Sequence, residues 1–377
     1  MQKHPQLSLI AHFQDLPDPR VQRTRRHELV DILVISVCTL LCGGESFNDM
    51  EEFGNCKQEW FKKFLKLPNG IPSHDTFNRL FQALDPKSFV ECFIRWTQSL
   101  RDTVDEEIVA MDGKALRRAF KQGEGPPVMI SAWARENGLV LGQLQVSDKS
   151  NEITAVPELL RALELAGCIV TLDAMGCQRN IAKEIKEAAA EYVLALKGNQ
   201  TKAHEEIKNY LDDAIDRGAR ELVSHQTVEK DHGRFEQRTY WQSDQLDWFA
   251  DRGKWEGLQS VAVVEHQRQV GEEPATFERR YYLSSLPVDA PRLARAIRGH
   301  WSVENSCHWS LDVSMGEDQS RARTGYAAEN LASLRRLALN LLKSEQTRKR
   351  GIKGKQKSAS WDHSYLLQLL GINPQPI

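Results

Sequence analysis

The chain has 377 residues, 41% of them hydrophobic and 27% charged, with a formal net charge of −2. That length suits two or three domains with a large core, the composition is that of a soluble globular protein, and near neutrality alone gives no argument for nucleic acid. The apolar run from Leu29 to Cys42 contains Asp31 and falls short of the roughly 20 residues that span a bilayer, which excludes it as a membrane helix.

The seven cysteines include no C-x-x-C pair, which points to free thiols in a reducing compartment. Met1-Gln2-Lys3-His4-Pro5 has no signal-peptide pattern. A cytoplasmic protein is expected. Charge is clustered near the two ends, at Arg20, Arg23, Arg25 and Arg26, and at Arg348, Lys349, Arg350, Lys353, Lys355 and Lys357. Either cluster could meet phosphates, or be a solvated helix end or tail.

Residues 1 to about 105 read as helical. Leu29, Ile32, Leu33, Val37, Leu40 and Leu41 recur at helical spacing, and Gly43-Gly44 stops that helix. A second helix is expected from Phe47 to Phe64. After the Pro68-Asn69-Gly70 turn, Ser73 can cap a third, with Asp75 in its first turn and Thr76, Asn78 and Arg79 on its polar side. A helix, a turn and a short polar helix can form a DNA-reading pair, with Arg79 as a contact; the same pattern serves plain packing.

From Glu107 the periodicity changes to strand-length runs: Ile108–Met111, Val128–Trp133, Leu139–Val146, Cys168–Leu172 and Tyr192–Leu196. Arg135-Glu136-Asn137-Gly138 is a hairpin turn, and helices are expected at Pro157–Leu165 and Asn180–Ala190. Three strands, helix, strand, helix, strand is the order of a mixed α/β sheet: a meander extended by parallel strands through crossover helices. A polar helix near 203–216 and four further strands between 221 and 286 read as a β-rich insertion. Helices are expected again at Arg292–Val313 and Ala327–Lys343, followed by a basic tail.

Three carboxylates stand out. Asp112 and Asp173 each close a buried-strand run, and Glu304 lies in a helical pattern. Acids at the ends of two adjacent strands would be roughly 5 Å apart, one inter-strand spacing, and would repel unless a metal sits between them or one is protonated. With a helix-borne glutamate they could hold two divalent metals. Asp112-Gly113 also suits a simple turn. His300, Glu304 and His308, four residues apart, could instead form a zinc site for a hydrolase, and Asp312, Glu317 and Asp318 compete for the role of Glu304. Lys114 and Lys197-Gly198-Asn199-Gln200 follow strand ends, where Lys114, Lys197 and Asn199 could touch DNA phosphates.

Taken together, Met111-Asp112-Gly113-Lys114, Lys149 to Ile153, Thr171 to Gln178, Ala195 to Gln200, Asp231-His232-Gly233-Arg234 and the block from His300 to Asp318 resemble the IS4-like DDE transposase superfamily. They are most similar to the ISAs1 group that includes the H-repeat-associated proteins. The resemblance implies a helical N-terminal DNA-binding domain over 1–105, an RNase H-like catalytic domain over 106–345 with an insertion at about 200–290, and a basic tail over 346–377. It implies Asp112, Asp173 and Glu304 as catalytic and metal-binding acids, Mg²⁺ as the cofactor with Mn²⁺ able to substitute, and terminal inverted repeats and target DNA as partners of a homodimer. The reaction implied is strand cleavage and strand transfer, with no membrane involved. The superfamily's Tyr, Arg and Lys around the glutamate correspond here to Ile297, His300 and Leu311. This departure leaves Arg298, His300 or His308 to make the DNA contacts, or else a DNA-binding remnant without catalysis.

Overall fold

The computed structural model describes residues 9–372 except 121, 122, 124, 147–151, 232, 233 and 272. Lys149 to Asn151, His232, Gly233 and the terminal Asn373 to Pro376 therefore lie outside the described residues. The helical start comprises α1 (Leu9–Phe13), α2 (Leu29–Leu41), α3 (Phe47–Cys56), α4 (Gln58–Phe61), α5 (His74–Ala83) and α6 (Pro86–Leu100). There follow β1 (Ile108–Ala115), β2 (Val128–Ala134), β3 (Leu139–Val146), α7 (Glu152–Ala162), β4 (Ile169–Leu172), α8 (Arg179–Glu187) and β5 (Glu191–Leu196). Next come α9 (Thr201–Asp216), β6 (Val223–Asp231), β7 (Arg234–Ser243), β8 (Ser260–Val270) and β9 (Thr276–Ser284). The chain ends in α10 (Ala290–His300), α11 (Trp309–Met315), α12 (Ala327–Ser344), α13 (Ile352–Trp361) and α14 (His363–Leu369).

Contacts divide the chain into two units. One gathers residues up to 103, 113–149 and 304 onwards; the other gathers 104–112 and 150–303.

In the first unit α2 is apolar almost all round, as a buried helix must be, and every residue but Val30 is buried. Asp31 is the exception in character. Its Oδ2 accepts from the Leu67 N–H at 2.9 Å, and burial holds its carboxyl above the usual range. Helix α3 starts with a reciprocal cap between Ser46 and Asp49, and α6 starts on the Asp85 side chain with Pro86 in its first turn. Lys57 and α4 break the single helix expected over Phe47–Phe64. Helix α12 packs against α2, α5, α6 and β3. Its buried Asn340 binds Val140 of β3 like a neighbouring strand, accepting from the N–H and donating to the carbonyl, both at 2.8 Å.

The expected basic tail is structured between Ile352 and Leu369. Lys355 is buried, and its ammonium donates to the carbonyls of Leu342 and Glu345 at the end of α12, satisfying acceptors a helix terminus leaves open. Arg348 pairs with Asp362 and lies over the Tyr365 ring at 4.1 Å. These cations serve the fold.

The second unit is a mixed sheet with strand order β1-β4-β5-β9-β8-β7-β6. Strands β1, β4 and β5 are parallel; β9, β8, β7 and β6 continue antiparallel. The β-rich insertion is thus an extension of the sheet, joined by the pairing of Val193 with Ser284 through Leu196 with Tyr281. Helix α10 covers this sheet with Leu293, Ala294, Ala296 and Ile297, in one core with Ile169, Val193, Tyr240 and Tyr282. Pro157 sits inside α7, not at its start.

Candidate active site

Strands β1 and β4 are paired from Ile108 with Ile169 to Met111 with Leu172. Asp112 and Asp173 are the next residue on each, so the register sets them side by side at the same end of two parallel strands. In open α/β sheets ligands gather at that end. Asp112 is not a turn residue, because β1 runs on through Gly113 to Ala115. Both acids are half-buried.

The loop after β4 is held by Asp173 itself, whose Oδ1 accepts from the N–H groups of Met175 (3.0 Å) and Gly176 (3.4 Å). A side chain at position 176 would collide with Leu172, its Cβ lying 2.6 Å from a methyl. The loop after β5 clasps this one. The Asn199 amide donates to the Ala174 carbonyl, and the Gln200 amide donates to the Cys177 carbonyl and to Gln178 Oε1, both at 3.1 Å. His300 closes α10 with its Nδ1 2.9 Å from the Thr171 hydroxyl, two residues before Asp173. Burial lowers the His300 pKa although the Asp173 charge opposes it.

The expected continuous helix from Arg292 to Val313 is interrupted. Residues Val303–His308 form a π turn before α11, a geometry that recurs at functional sites. Glu304 is exposed there and makes no hydrogen bond or ion pair among the described residues.

Lys114 departs from expectation. It is 7% exposed, and its ammonium lies 2.7 Å from Asp312, 2.9 Å from Asp318 and 3.5 Å from Glu317. Burial disfavours its charge, but the three carboxylates outweigh that and raise its pKa. Glu317 is fully buried and also meets Arg336 at 2.7 Å, both side chains at 0% exposure. Burial pushes its carboxyl up, and Arg336, Lys114 and Arg335 pull it below the usual range. Asp312 is raised, by burial first and by Asp318 and Glu317, against Lys114. This cluster binds its own cations and is not a row of candidate metal ligands. Sequence reasoning missed it because its partners lie some two hundred residues apart.

Residues 104–341 match the family described as "Transposase DDE domain", and residues 10–97 match the region described as "DDE_Tnp_1-associated". The chain is 40% identical to "Putative transposase YncI" of Escherichia coli O157:H7, covering 96% of this chain and 94% of that one. It is 38% identical to "H repeat-associated putative transposase YhhI" of Escherichia coli (strain K12), covering 96% and 97%. This chain is a DDE transposase. A solved structure titled "Cryo-EM structure of piggyBac transposase synaptic complex with hairpin DNA (SNHP)" covers 95% of it and 76% of that chain, at 12% identity and a TM-score of 0.45.

The transposase places its remaining expected DNA-contact residues unevenly. Lys197 is exposed. Asn199 is engaged in the loop clasp, and Arg298 pairs with Glu229 at 2.9 Å. Arg79 is 80% exposed, with Asp75 at 3.4 Å. His308 is half-buried. The positions matching the superfamily's Tyr and Lys hold Ile297 and Leu311, both buried, so they support packing and could not reach DNA. Among the described residues no group of three or more His, Cys, Asp or Glu is placed to hold a metal ion, and no helix is long and apolar enough to cross a membrane. No observation carries the zinc alternative.

Proposed function

We propose that Asp112, Asp173 and Glu304 are the catalytic acids of this transposase and that they hold Mg²⁺, with Mn²⁺ able to replace it. The observation that carries this is the register of β1 and β4, which sets Asp112 beside Asp173. Hard carboxylate oxygens suit these cations. The exposed Glu304, with no hydrogen bond or ion pair among the described residues, supplies the third carboxylate on the π turn. When bound, the cations would polarise the scissile phosphate and make water or a 3′-hydroxyl a competent nucleophile. The chain's own groups fix the ligands. The backbone N–H bonds of Met175 and Gly176 orient one oxygen of Asp173, and the Asn199 and Gln200 clasp holds that loop. His300 anchors Thr171 just before it.

The substrates in this reading are the ends of the element and target DNA, cut and joined by a homodimer in the bacterial cytoplasm. Exposed Lys197 and Arg79 contribute phosphate contacts. The test is nicking of DNA carrying the element's ends. Wild-type protein should nick it with Mg²⁺ or Mn²⁺ and not with EDTA. Asp112→Asn and Glu304→Gln should reduce nicking to background while DNA binding persists. Full activity of either variant would overturn the assignment of that residue.

A further inference from the structure

The first unit contains a recess lined entirely by its own residues. It has a volume of about 590 Å³, within the range of roughly 300–1,000 Å³ typical of small-molecule sites. Arg335 of α12 lines it and is 1% exposed. Its Nε donates to the Met315 carbonyl at 3.2 Å and its Nη2 to the Glu45 carbonyl at 3.3 Å, two of the five N–H donors a guanidinium carries. The segment 316–324 adds Arg321 and Arg323, both exposed. Arg323 Nε donates to the Arg118 carbonyl at 2.9 Å, and Arg321 makes no hydrogen bond or ion pair among the described residues. Helix α5 contributes the amides of Asn78 and Gln82, joined to each other at 2.7 Å, and α3 contributes the half-buried ring of Phe47. Glu45 is the one acid among the lining residues.

The recess is preformed. The Tyr326 N–H donates to the Gln82 carbonyl at 3.0 Å, and the Asn330 amide donates to the carbonyls of Phe81 and Leu84 at 2.9 Å. Gly325 has φ +53°, and a Cβ there would meet the Gln82 carbonyl oxygen at 2.4 Å, so only glycine allows this approach.

Arg321, Arg323 and Arg335, facing Glu45 in the lining and Glu317 behind Arg335, keep a cationic excess that suits a phosphate. A ring and two amides beside them suit the face and edge of a nucleobase, the elements by which proteins receive a base taken out of a stack. We propose that this recess binds one nucleoside monophosphate unit. The phosphate would lie on Arg321, Arg323 and Arg335, and the base against Phe47, Asn78 and Gln82. The unit comes either from a nucleotide turned out of a DNA strand or from a free nucleotide; the first source rests on the DNA reading above.

Titration of the full chain with 5′-dAMP, deoxyadenosine and inorganic phosphate tests it. The expected result is saturable dAMP binding at least about 10-fold tighter than either fragment, weakened by a further ~10-fold in Arg321→Ala/Arg323→Ala, as loss of charge-assisted bonds requires. Phe47→Leu should weaken dAMP and leave phosphate unchanged. A single-stranded oligonucleotide carrying 2-aminopurine separates the sources. A fluorescence rise that excess dAMP suppresses identifies DNA, and dAMP binding without a rise identifies the free nucleotide. Binding of dAMP no tighter than phosphate, or unaltered by the double arginine variant, overturns the proposal. Mg²⁺-dependent nicking that survives this result would leave the catalytic assignment standing.

Discussion

Asp112 and Asp173 in the second unit, and Asp312, Glu317 and Asp318 in the first, are two groups of carboxylates drawn from the same kinds of sequence. Asp173 is half-buried, accepts only backbone N–H bonds and has no ion pair among the described residues. Glu317 is sealed from solvent with Arg336 and Lys114 around it. A buried anion without a cation is costly, so the second group arrives with its cations built in. The difference separates the acids proposed to receive a ligand from acids that hold a fold together. What separates them is the neighbouring charge and the depth, which local sequence does not display.

The sharpest way to break this contrast is to neutralise one acid from each group. Asp173→Asn should remove nicking and leave thermal stability near wild type. Glu317→Ala leaves the buried Arg336 without its carboxylate and should cost about 3–5 kcal/mol of stability, measured by urea denaturation. A catalytic loss with unchanged stability for Glu317→Ala would place that residue in the wrong group. A smaller effect is expected at Asn340, whose amide satisfies both polar groups of Val140. Asn340→Ala should cost about 1–3 kcal/mol, again without touching the acids in unfolded-corrected nicking assays.

The smallest effect depends on pH. Burial pushes the Glu329 carboxyl up to about 7 from 4.5, against a backbone hydrogen bond from Gln145 and with the charge of Asp85 adding to it. The native state therefore binds more protons than the unfolded state between those values. This group's stabilising contribution is full below about 4.5 and is lost as pH rises through about 7. Glu329→Gln should raise the Tm at pH 8 by a few degrees and leave it nearly unchanged at pH 4.5. Equal shifts at both pH values would show that the effect is packing and not titration.

Much of the second unit was legible because short apolar runs ending in Asp112 and Asp173 carry their strand boundaries with them, and parallel pairing follows from the helices between. The sheet's extension by β6 to β9 was legible as strands but not as neighbours of β5, since pairing partners such as Val193 and Ser284 lie far apart in sequence. Lys114 read as a free cation after a strand because nothing near it in sequence shows three acids waiting two hundred residues on. The segment from Ile352 to Leu369 was read as a charged tail, although Tyr365, Leu366 and Leu369 of α14 are buried at helical spacing. There the count of lysines masked an amphipathic period.

The π turn at Val303–His308 alters the meaning of a signature counted in residues. Along an α-helix each residue advances about 100°, so a position seven places after Glu304 would return to nearly the same azimuth. The wider turn carries fewer degrees per residue and spoils that coincidence. Glu304 faces solvent, while Leu311, seven places on, is 0% exposed. A lysine at 311 would point into the core, and leucine is the residue that this phase of the helix demands. Deleting one residue from the turn would rotate everything downstream by about a quarter of a revolution, turning Leu311 and Met315 outward, so the length of this segment is as constrained as its chemistry.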